Sequence, residues 1–335
     1  MGNESKIAVL GAGSWGTALA ILLARQGQST YLWARDSAHV VNMAEARCNR
    51  RYLPDIVFPN CLQVVSDMAQ AVQQADDILI AIPSHGFRPL LEQLTDILKP
   101  GQRLMWATKG FESGSGKLFH QVVEEVIGSE VSMAVISGPT FAREVALAYP
   151  TAVTIASSNP AFAKQMAERF HDDTFRAYTS DDIIGVEVGG GIKNVLAIAT
   201  GIADGLGFGA NTRAAIITRG LAEMIRLGTA LGGRRETFMG LSGLGDLVLT
   251  CTDDQSRNRR LGLALGKGNS LEDALSTIDQ VVEGVQTARE VHELAVSTAV
   301  EMPIAQQVYE VLYEACSPSD AVNNLLSRDL KREMS

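Results

Sequence analysis

The hydrophobic positions of this chain change their spacing near residue 180. Before that point, short runs that are apolar at every position alternate with amphipathic segments such as 87–98 and 116–127. Fully apolar runs separated by helices are typical of a mainly parallel sheet covered by helices. Six runs are predicted as strands, and two more could extend the sheet to about Ser180: KIAVL, STYLWARD, LQVVS, DILIAIP, RLMWATKG and MAVISGP, then TAVTIAS and TFRAYTS.

Beyond residue 180 the apolar positions recur with the period of an α-helix. The helical segments are DDIIGVEVGGGIKNVLAIATGIADG, NTRAAIITRGLAEMIRLGTAL, SLEDALSTI, VQTAREVHELAVST and PIAQQVYEVLYEA. The sequence therefore predicts an α/β domain with a doubly wound sheet at residues 1–184 and an all-α domain at residues 185–335.

Composition and charge narrow the classes of function. The chain has 335 residues, 46% of them hydrophobic, and a formal net charge of −9 at pH 7. A protein that binds nucleic acid or a membrane surface usually presents a basic face, so the acidic balance argues against both classes. An anionic small molecule could still bind, provided that its site is locally basic.

Cysteine, histidine and the N-terminal residues give no sign of a metal site or of export. The four cysteines and five histidines lack the paired spacing of metal ligands or disulfides, which favours reduced thiols and no metal. MGNESKIAVLGAG leads directly into a strand and does not resemble a signal peptide. Even the stretch after Lys193 has only ten uncharged residues before Asp204, too few to span a membrane. We therefore expect a cytoplasmic protein without membrane insertion.

A glycine-rich turn follows the first predicted strand and opens the first helix. Gly11, Gly13 and Gly16 fit the pattern G-x-G-x-x-G within a strand–helix–strand unit. In this pattern the first glycine permits a tight turn, the second lets the backbone approach a pyrophosphate, and the third permits close packing of helix and strand. Because the N-terminus of a helix also attracts phosphate, we expect a dinucleotide cofactor here.

The residues after the second strand indicate which dinucleotide binds. NAD and FAD sites usually have an acidic residue there that contacts the ribose hydroxyls. Here Arg35 comes first and could pair with a 2′-phosphate, whereas Asp36 could cap the next helix. NADP is therefore favoured, NAD stays an alternative, and FAD is disfavoured. A solvated surface arginine is the other interpretation of Arg35.

One lysine stands in a long segment of small and apolar residues, since Lys193 is the only charge between Glu187 and Asp204. Such a lysine could extend its charge into water. However, three glycines at 189–191 precede it, and each costs a helix about 1 kcal/mol relative to alanine, which suggests that something approaches the backbone closely. The ammonium could protonate a carbonyl oxygen as hydride reaches its carbon, and Asn194 could hold a substrate oxygen.

Two further groups could bind an anionic substrate. Lys109 ends a predicted strand on the side where ligands of open α/β sheets bind, although an ordinary loop lysine fits equally well. Ser256, Arg257 and Asn258 lie in the basic sequence SRNRR, where an arginine between hydroxyl and amide donors suits a phosphate. A solvated basic turn is the alternative. The residues alone predict an NADP-linked reductase of a phosphorylated carbonyl compound.

The chain resembles the bacterial NAD(P)-dependent glycerol-3-phosphate dehydrogenases from about residue 6 to residue 325, in seven motifs: GAGSWGTALA, WATKG, ISGPTFAREV, GGGIKNVLAIATGIADGLGFGANTRAAIITRGLAEM, GLGDLVLTCT, SRNRR and VVEG. The resemblance implies a Rossmann-type domain followed by an all-α domain like the C-terminal domain of 6-phosphogluconate dehydrogenase. It implies reversible reduction of dihydroxyacetone phosphate by NADPH or NADH to sn-glycerol 3-phosphate, supplying phospholipid synthesis. Homodimers are common in the family.

The resemblance also implies roles for individual residues. Lys193 matches the proton donor and acceptor. The substrate-contacting positions correspond to Lys109, Gly138, Thr140, Asp246, Ser256, Arg257 and Asn258. The cofactor-contacting positions correspond to Ser14, Trp15, Arg35, Lys109, Ala142, Arg257, Val281 and Glu283. Some members have other residues in place of Trp15 and Arg35, so NADP and NAD both stay cofactor candidates.

Three other functions stay open at this point. A related NADP-dependent dehydrogenase of a 2-hydroxy acid or sugar acid would need a carboxylate clamp in place of the phosphate site. A redox sensor that binds NADP(H) without turnover would leave Lys193 and SRNRR without a purpose. A FAD-linked, membrane-associated oxidiser of glycerol 3-phosphate would be coloured when purified.

Overall fold

The computed structural model describes residues 5–278 and 280–329. Two compact units make up the chain: Met1–Glu112 with Lys117–Glu187, and Ser113–Gly116 with Val188–Ser335. The division at Glu187 falls inside a helix. The short segment 113–116 comes from the first half of the sequence and nevertheless belongs to the second unit.

The first unit is built around a sheet of eight described strands. In chain order the strands of the unit are β1 (Ile7–Leu10), β2 (Thr30–Trp33), β3 (Cys48–Asn49), β4 (Leu53–Val57), β5 (Leu62–Val65), β6 (Asp77–Ile80), β7 (Arg103–Trp106), β8 (Met133–Ser137), β9 (Thr151–Ala156) and β10 (Phe175–Ser180). The order across the sheet is β10-β9-β8-β7-β6-β1-β2-β5. Strands are added outward from β1 in both directions, which confirms the predicted doubly wound arrangement.

Each predicted apolar run forms a strand of this sheet, but two features were not predicted. The strands β3 and β4 form a separate antiparallel hairpin. Within the large sheet, β8 and β9 are antiparallel, while the other described pairs are parallel. Because Leu10 pairs with Trp33 on one side and Ile80 on the other, the carboxyl ends of β1, β2 and β6 lie side by side.

Helices cover both faces of the sheet. They are α1 (Ser14–Arg25), α2 (Ser37–Ala46), α3 (Met68–Gln74), α4 (Phe87–Thr95), α5 (Phe119–Val126), α6 (Ala142–Ala146) and α7 (Pro160–Phe170). Successive side chains of a strand point to opposite faces, and β1 shows the result. Ile7 and Val9 are buried with residues of α1 and α7, whereas Ala8 and Leu10 are buried with residues of α3, α4 and α5.

From Val188 onward the described residues of the second unit form helices and no strand. The helices from the division onward are α8 (Ile183–Gly205), α9 (Ala210–Ala230), α10 (Arg235–Phe238), α11 (Asp246–Thr252), α12 (Arg257–Gly266), α13 (Leu271–Ser276), α14 (Glu283–Ser297), α15 (Pro303–Tyr313) and α16 (Pro318–Leu326). A π-helical turn, Leu241–Gly245, leads into α11. The prediction of an all-α second part is therefore confirmed.

Glycines bring the backbones of α8 and α12 into direct contact. A Cβ at Gly201 would collide with the carbonyl oxygen of Arg259, and one at Gly205 would lie 2.5 Å from that of Leu263. In the other direction, a Cβ at Gly262 would collide with the carbonyl oxygen of Ile198. A bare Cα on both helices is required for so close an approach.

A buried carboxylate joins α9 to α15. The side chain of Glu223 is 1% exposed and accepts hydrogen bonds from the backbone N–H groups of Ile304 at 2.8 Å and Ala305 at 3.2 Å. Met302, which immediately precedes α15, makes no side-chain hydrogen bond that caps this helix. Glu223 therefore acts as the N-terminal cap of a helix distant from it in sequence.

Helix α8 is long and apolar enough to span a membrane by length and composition, whereas the sequence suggested that no segment reached that length. However, 94% of its apolar window is buried inside the protein. This is typical of the core helix of a soluble protein.

Candidate active site

The glycine turn of the first unit leaves open space above the start of α1. Gly11 has φ +122°, and a Cβ there would collide with the carbonyl oxygen of Ala81 after β6. A Cβ at Gly16 would collide with the carbonyl oxygen of Gly11. A Cβ at Gly13, in contrast, would meet nothing within 4 Å, and no side chain caps α1. The turn thus fits a pyrophosphate at the helix N-terminus, next to the point where the strand order reverses.

Three predicted cofactor residues lie around this turn. Ser14 is the first residue of α1, and Ala142 is the first residue of α6, which packs against α1. Trp15 and Ala142 pack against the same buried cluster. The indole Nε1 of Trp15 is buried and has no hydrogen-bond partner among the described residues. A bound ligand could satisfy this donor.

The two residues after β2 have different surroundings. The carboxylate of Asp36 accepts hydrogen bonds from the backbone N–H groups of Ala38 at 3.0 Å and His39 at 3.2 Å, and so caps α2 as predicted. Arg35 is exposed, and the described part of the chain offers it no hydrogen bond or ion pair. The acidic residue is therefore occupied, while the guanidinium group is available to a ligand.

Lys109, Gly138 and Thr140 meet at one carbonyl group. Lys109 lies just after the carboxyl end of β7, and its Nζ is 3.5 Å from the carbonyl oxygen of Gly138. The hydroxyl of Thr140 donates to the same oxygen at 3.2 Å. A Cβ at Gly138 would lie 2.9 Å from the Cα of Val153 in β9, so this position requires glycine. The structure thus brings the three predicted substrate residues of the first unit together.

Lys193 is buried in the second unit and ion-paired. Its Nζ lies 2.5 Å from Oδ1 of Asp246 and donates to the hydroxyl of Thr250 at 3.0 Å. Lys193 is 6% exposed and Asp246 is fully buried, so the idea of a lysine whose charge extends into water is wrong. Thr250 also donates to the carbonyl oxygen of Asp246 at 2.6 Å. Sequence reasoning missed Thr250, because nothing marks it until α11 places it one turn after Asp246.

Gly189, the first of the three glycines before Lys193, is closely approached, as the sequence predicted. A Cβ at Gly189 would lie 2.6 Å from the carbonyl oxygen of Ser242, in the π-helical turn that precedes Asp246. The group that approaches the backbone at this glycine is therefore the chain itself. The close contact places the start of α11 against α8, which positions the carboxylate of Asp246 beside Lys193. π-Helical turns occur frequently at functional sites.

Two asparagines connect three helices next to Lys193. The amide nitrogen of Asn258 in α12 donates to Oδ1 of Asn194 in α8 at 2.9 Å, and its oxygen accepts from the backbone N–H of Gly284 in α14 at 2.9 Å. The amide nitrogen of Asn194 lies 3.5 Å from the carboxylate of Glu283. Both asparagines are buried. Three residues expected to contact substrate or cofactor thus form one network.

Ser256 and Arg257 lie at the start of α12. The hydroxyl of Ser256 caps the helix by accepting from the backbone N–H of Arg259 at 3.2 Å. The half-buried Arg257 donates from Nη1 to the carbonyl oxygen of Val281 at 2.8 Å. Val281 and Arg257 are therefore neighbours, as their expected shared role in cofactor contact requires.

Arg259 connects the start of α12 to the end of α8 and to α11 through its buried guanidinium group. The sequence alone did not predict this role. Its guanidinium group is buried and ion-pairs with Asp204 at the end of α8 and with Asp254, the latter at 2.9 Å. It also donates to the carbonyl oxygen of Cys251 at 3.3 Å. Because Arg259 is buried and ion-paired, the alternative of a solvated basic turn is wrong for this residue. The sequence SRNRR does not by itself indicate which of its arginines points inward.

The thiol of Cys251 lies in the same region and is fully buried. Burial raises its pKa to about 12, even though Thr200, Lys193 and Arg259 act in the opposite direction. Since the thiolate is the reactive form, we expect Cys251 to be inert toward oxidants and alkylating agents.

A turn that accepts a pyrophosphate, together with a lysine and carboxylate pair buried among apolar helices, defines the class of protein. It is an oxidoreductase of the dehydrogenase type that uses a dinucleotide.

Comparison with known proteins identifies the family. The family model described as NAD-dependent glycerol-3-phosphate dehydrogenase N-terminus matches residues 6–163, and the corresponding C-terminus model matches residues 182–323. The chain is 59% identical over 325 residues to the glycerol-3-phosphate dehydrogenase (NAD(P)+) of Nitrosococcus oceani, covering 97% of this chain and 94% of that protein. It is 57% identical over 331 residues to that of Thioalkalivibrio sulfidiphilus, covering 99% of both.

A solved structure agrees with this result. The crystal structure of glycerol-3-phosphate dehydrogenase from Coxiella burnetii matches with a TM-score of 0.94 at 50% identity, covering 97% of this chain and 99% of that chain. The chain belongs to the NAD(P)-dependent glycerol-3-phosphate dehydrogenase family, which confirms the resemblance noted from its motifs.

Proposed function

We propose that the chain catalyses the reversible reduction of dihydroxyacetone phosphate by NADPH or NADH to sn-glycerol 3-phosphate. The observation that carries the proposal is the buried pair of Lys193 and Asp246. Burying an ammonium group and a carboxylate costs free energy of desolvation, so we attribute the presence of this pair to a role in catalysis. The names of the relatives support the substrate and the cofactor. We further propose a cytoplasmic homodimer that supplies phospholipid synthesis.

Lys193 serves as the proton donor in reduction and as the proton acceptor in oxidation. When bound, the nicotinamide supplies the hydride that reaches the substrate carbon. The carbonyl oxygen then becomes an alkoxide, and the ammonium group of Lys193 gives it a proton. The carboxylate of Asp246, 2.5 Å from Nζ, ion-pairs with this ammonium group, and the hydroxyl of Thr250 at 3.0 Å helps to fix its direction.

The start of α12 holds the substrate phosphate. Arg257 supplies guanidinium N–H groups, and Ser256 with the helix N-terminus supplies further donors. Asn258 uses one amide N–H for Asn194 and has a second one for the phosphate. In the first unit, Lys109, Gly138 and Thr140 are the proposed substrate contacts, with Lys109 also touching the cofactor.

The cofactor pyrophosphate binds at the turn of Gly11, Gly13 and Gly16. Open space at Gly13 and the unpartnered indole nitrogen of Trp15 support this placement. Arg35 pairs with a 2′-phosphate, which favours NADP over NAD. The remaining proposed cofactor contacts are Ser14, Ala142, Arg257, Val281 and Glu283.

The test is the loss of NADPH absorbance with dihydroxyacetone phosphate, comparing the wild type with Lys193→Met and with Lys164→Met. Lys164 lies on α7 with its side chain 75% exposed and serves as the control. We expect Lys193→Met to lower kcat by about 10²–10⁴-fold while its circular dichroism spectrum stays native, since a general acid contributes about that much. Near-normal activity of this variant would refute the proposed mechanism.

The choice of substrate is tested with Arg257→Ala. Because Arg257 is also a proposed cofactor contact, both substrates are compared at saturating NADPH. Loss of activity toward dihydroxyacetone phosphate, with little change for small 2-keto acids, supports a phosphate site. A wild type that prefers 2-keto acids would instead support the related hydroxy-acid dehydrogenase. A wild type that binds NADPH without turning over any of these substrates would support the sensor.

A further inference from the structure

A cavity with a volume of about 620 Å³ lies beside α2 in the first unit, next to the carboxyl end of β2. One side is formed by α2 and its cap, including Asp36, His39 and Glu45. The other side is formed by Cys48 in β3 and by the turn of the β3–β4 hairpin, including Arg50 and Arg51. Neither the motifs nor the family resemblance assigned this hairpin a role.

The hairpin is fixed to the glycine turn. Asn49 in β3 is fully buried, and its amide nitrogen donates to the carbonyl oxygen of Ala12 and to the hydroxyl of Thr17, both at 2.9 Å. Just before β3, Arg47 donates to three backbone carbonyl groups, including that of Pro59 at 2.7 Å. Arg50 and Arg51 therefore hold a defined position relative to the turn proposed to bind the pyrophosphate.

Two arginines, Arg50 and Arg51, line the cavity, and Arg35 directly precedes its lining residue Asp36. Arg35, Arg50 and Arg51 are all exposed, and within residues 5–278 and 280–329 none of them forms an ion pair. Arg51 instead lies over the ring of Tyr52, with 5.3 Å between the guanidinium carbon and the ring centroid. Of the two carboxylates that line the cavity, those of Asp36 and Glu45, the former is used to cap α2.

His39 adds a polar group without a partner. Its Nε2 is buried and has no hydrogen-bond partner among the described residues. Burial lowers the pKa of His39 and the charge of Arg51 lowers it further, while Asp36 acts in the opposite direction. The neutral ring presents one N–H donor and one acceptor, and an unsatisfied buried nitrogen is costly unless a ligand reaches it.

We propose that the β3–β4 hairpin is the second half of a 2′-phosphate site: Arg50 and Arg51 bind, together with Arg35, the phosphate on the adenosine ribose of NADP. The ribose of a dinucleotide binds at the end of β2, which is where Arg35 stands. Three guanidinium groups suit a phosphate monoester dianion, whereas the ribose hydroxyl of NAD offers them no charge. The chain therefore selects NADPH over NADH. This inference rests on the cofactor part of the proposed function.

The test measures the binding of two adenosine ligands by titration calorimetry. Adenosine 2′,5′-bisphosphate and adenosine 5′-monophosphate differ only in the 2′-phosphate. The test variant carries Arg50→Ala and Arg51→Ala together. The control variant is Arg176→Ala, because Arg176 is likewise exposed and lies 5.6 Å from the ring centroid of Tyr178, on the far edge strand β10.

We expect the double variant to bind the bisphosphate at least about tenfold more weakly and to bind the monophosphate as the wild type does, since charge-assisted contacts to phosphate are lost. KM for NADPH should rise with KM for NADH unchanged. An unchanged affinity for the bisphosphate, or an equal loss for both ligands, overturns the inference.

The proposed function is judged separately from this result. If the wild type reduces dihydroxyacetone phosphate with NADH and the double variant keeps wild-type discrimination between the adenosine ligands, only the hairpin inference fails. If the wild type reduces dihydroxyacetone phosphate with neither NADPH nor NADH, the proposed function fails whatever the adenosine ligands show.

Discussion

The ion pair of Lys193 and Asp246 makes a quantitative prediction, because both of its members are buried. Lys193 is 6% exposed, Asp246 is fully buried, and 2.5 Å separates their charged atoms. Removing either partner leaves the other as an uncompensated charge, which costs about 3–5 kcal/mol of stability. Replacing both by apolar residues of similar size removes this penalty, so the two losses should not add.

The assay is a double-mutant cycle with Lys193→Met, Asp246→Leu and the double variant, using free energies of unfolding from urea titrations. We expect the double variant to be more stable than the sum of the single losses predicts, by about 2 kcal/mol or more. The exposed pair of Lys164 and Glu168, separated by 3.9 Å on α7, is the control and should show no measurable coupling. Losses at Lys193 and Asp246 that add to within about 0.5 kcal/mol would refute the argument.

Three further predictions concern the second unit. Gly262→Ala would stabilise an exposed helix by about 1 kcal/mol, but here it should destabilise the protein by about 1–3 kcal/mol through collision with α8, and an unchanged or raised Tm would contradict this. Burial raises the pKa of Glu223 to about 7 against the backbone donors of Ile304 and Ala305. Because this folded pKa exceeds the ordinary value of 4.5, the stabilisation is complete below pH 4.5 and is lost as pH rises through about 7. The stability of wild type relative to Glu223→Gln should fall across that window in urea titrations, and a constant difference would be inconsistent with it. Arg259→Lys cannot ion-pair with Asp204 and Asp254 in the same fork, so it should raise KM for dihydroxyacetone phosphate roughly tenfold with a smaller change in kcat, whereas a lower Tm with unchanged KM would assign Arg259 a purely structural role.

Most of the sheet could be predicted because continuous apolar runs mark strands that are buried on both faces. The direction of pairing could not, since β8 and β9 are equally apolar whether they pair parallel or antiparallel. The hairpin β3–β4 was not predicted, because its second strand, LPDIV, contains a proline and is not apolar throughout. Three of the five residues of this strand are exposed: Pro54, Asp55 and Val57. Its anchor, Asn49, looks like an ordinary turn residue until its contacts with the glycine turn are known.

The sequence predicted which residues belong to the candidate site better than it predicted which side chains contact one another there. Gly11, Gly13 and Lys193 stand out because glycine and lysine are unusual in those settings. The partners Thr250 and Arg259 depend on how α8, α11 and α12 meet, which local sequence does not encode. Gly189 shows the limit of the argument: glycine does indicate close approach, but the approaching group is the backbone of Ser242.

The contact between α8 and α12 determines the distance between two residues that are proposed to contact the substrate. Lys193 is on α8 and Arg257 begins α12, and the two backbones touch at Gly201 and Gly262 without a side chain between them. A contact made by side chains can adjust through rotamer changes when neighbouring residues vary. A backbone contact cannot adjust in this way. We therefore expect the distance between these two helices to stay the same when residues elsewhere in the core are substituted.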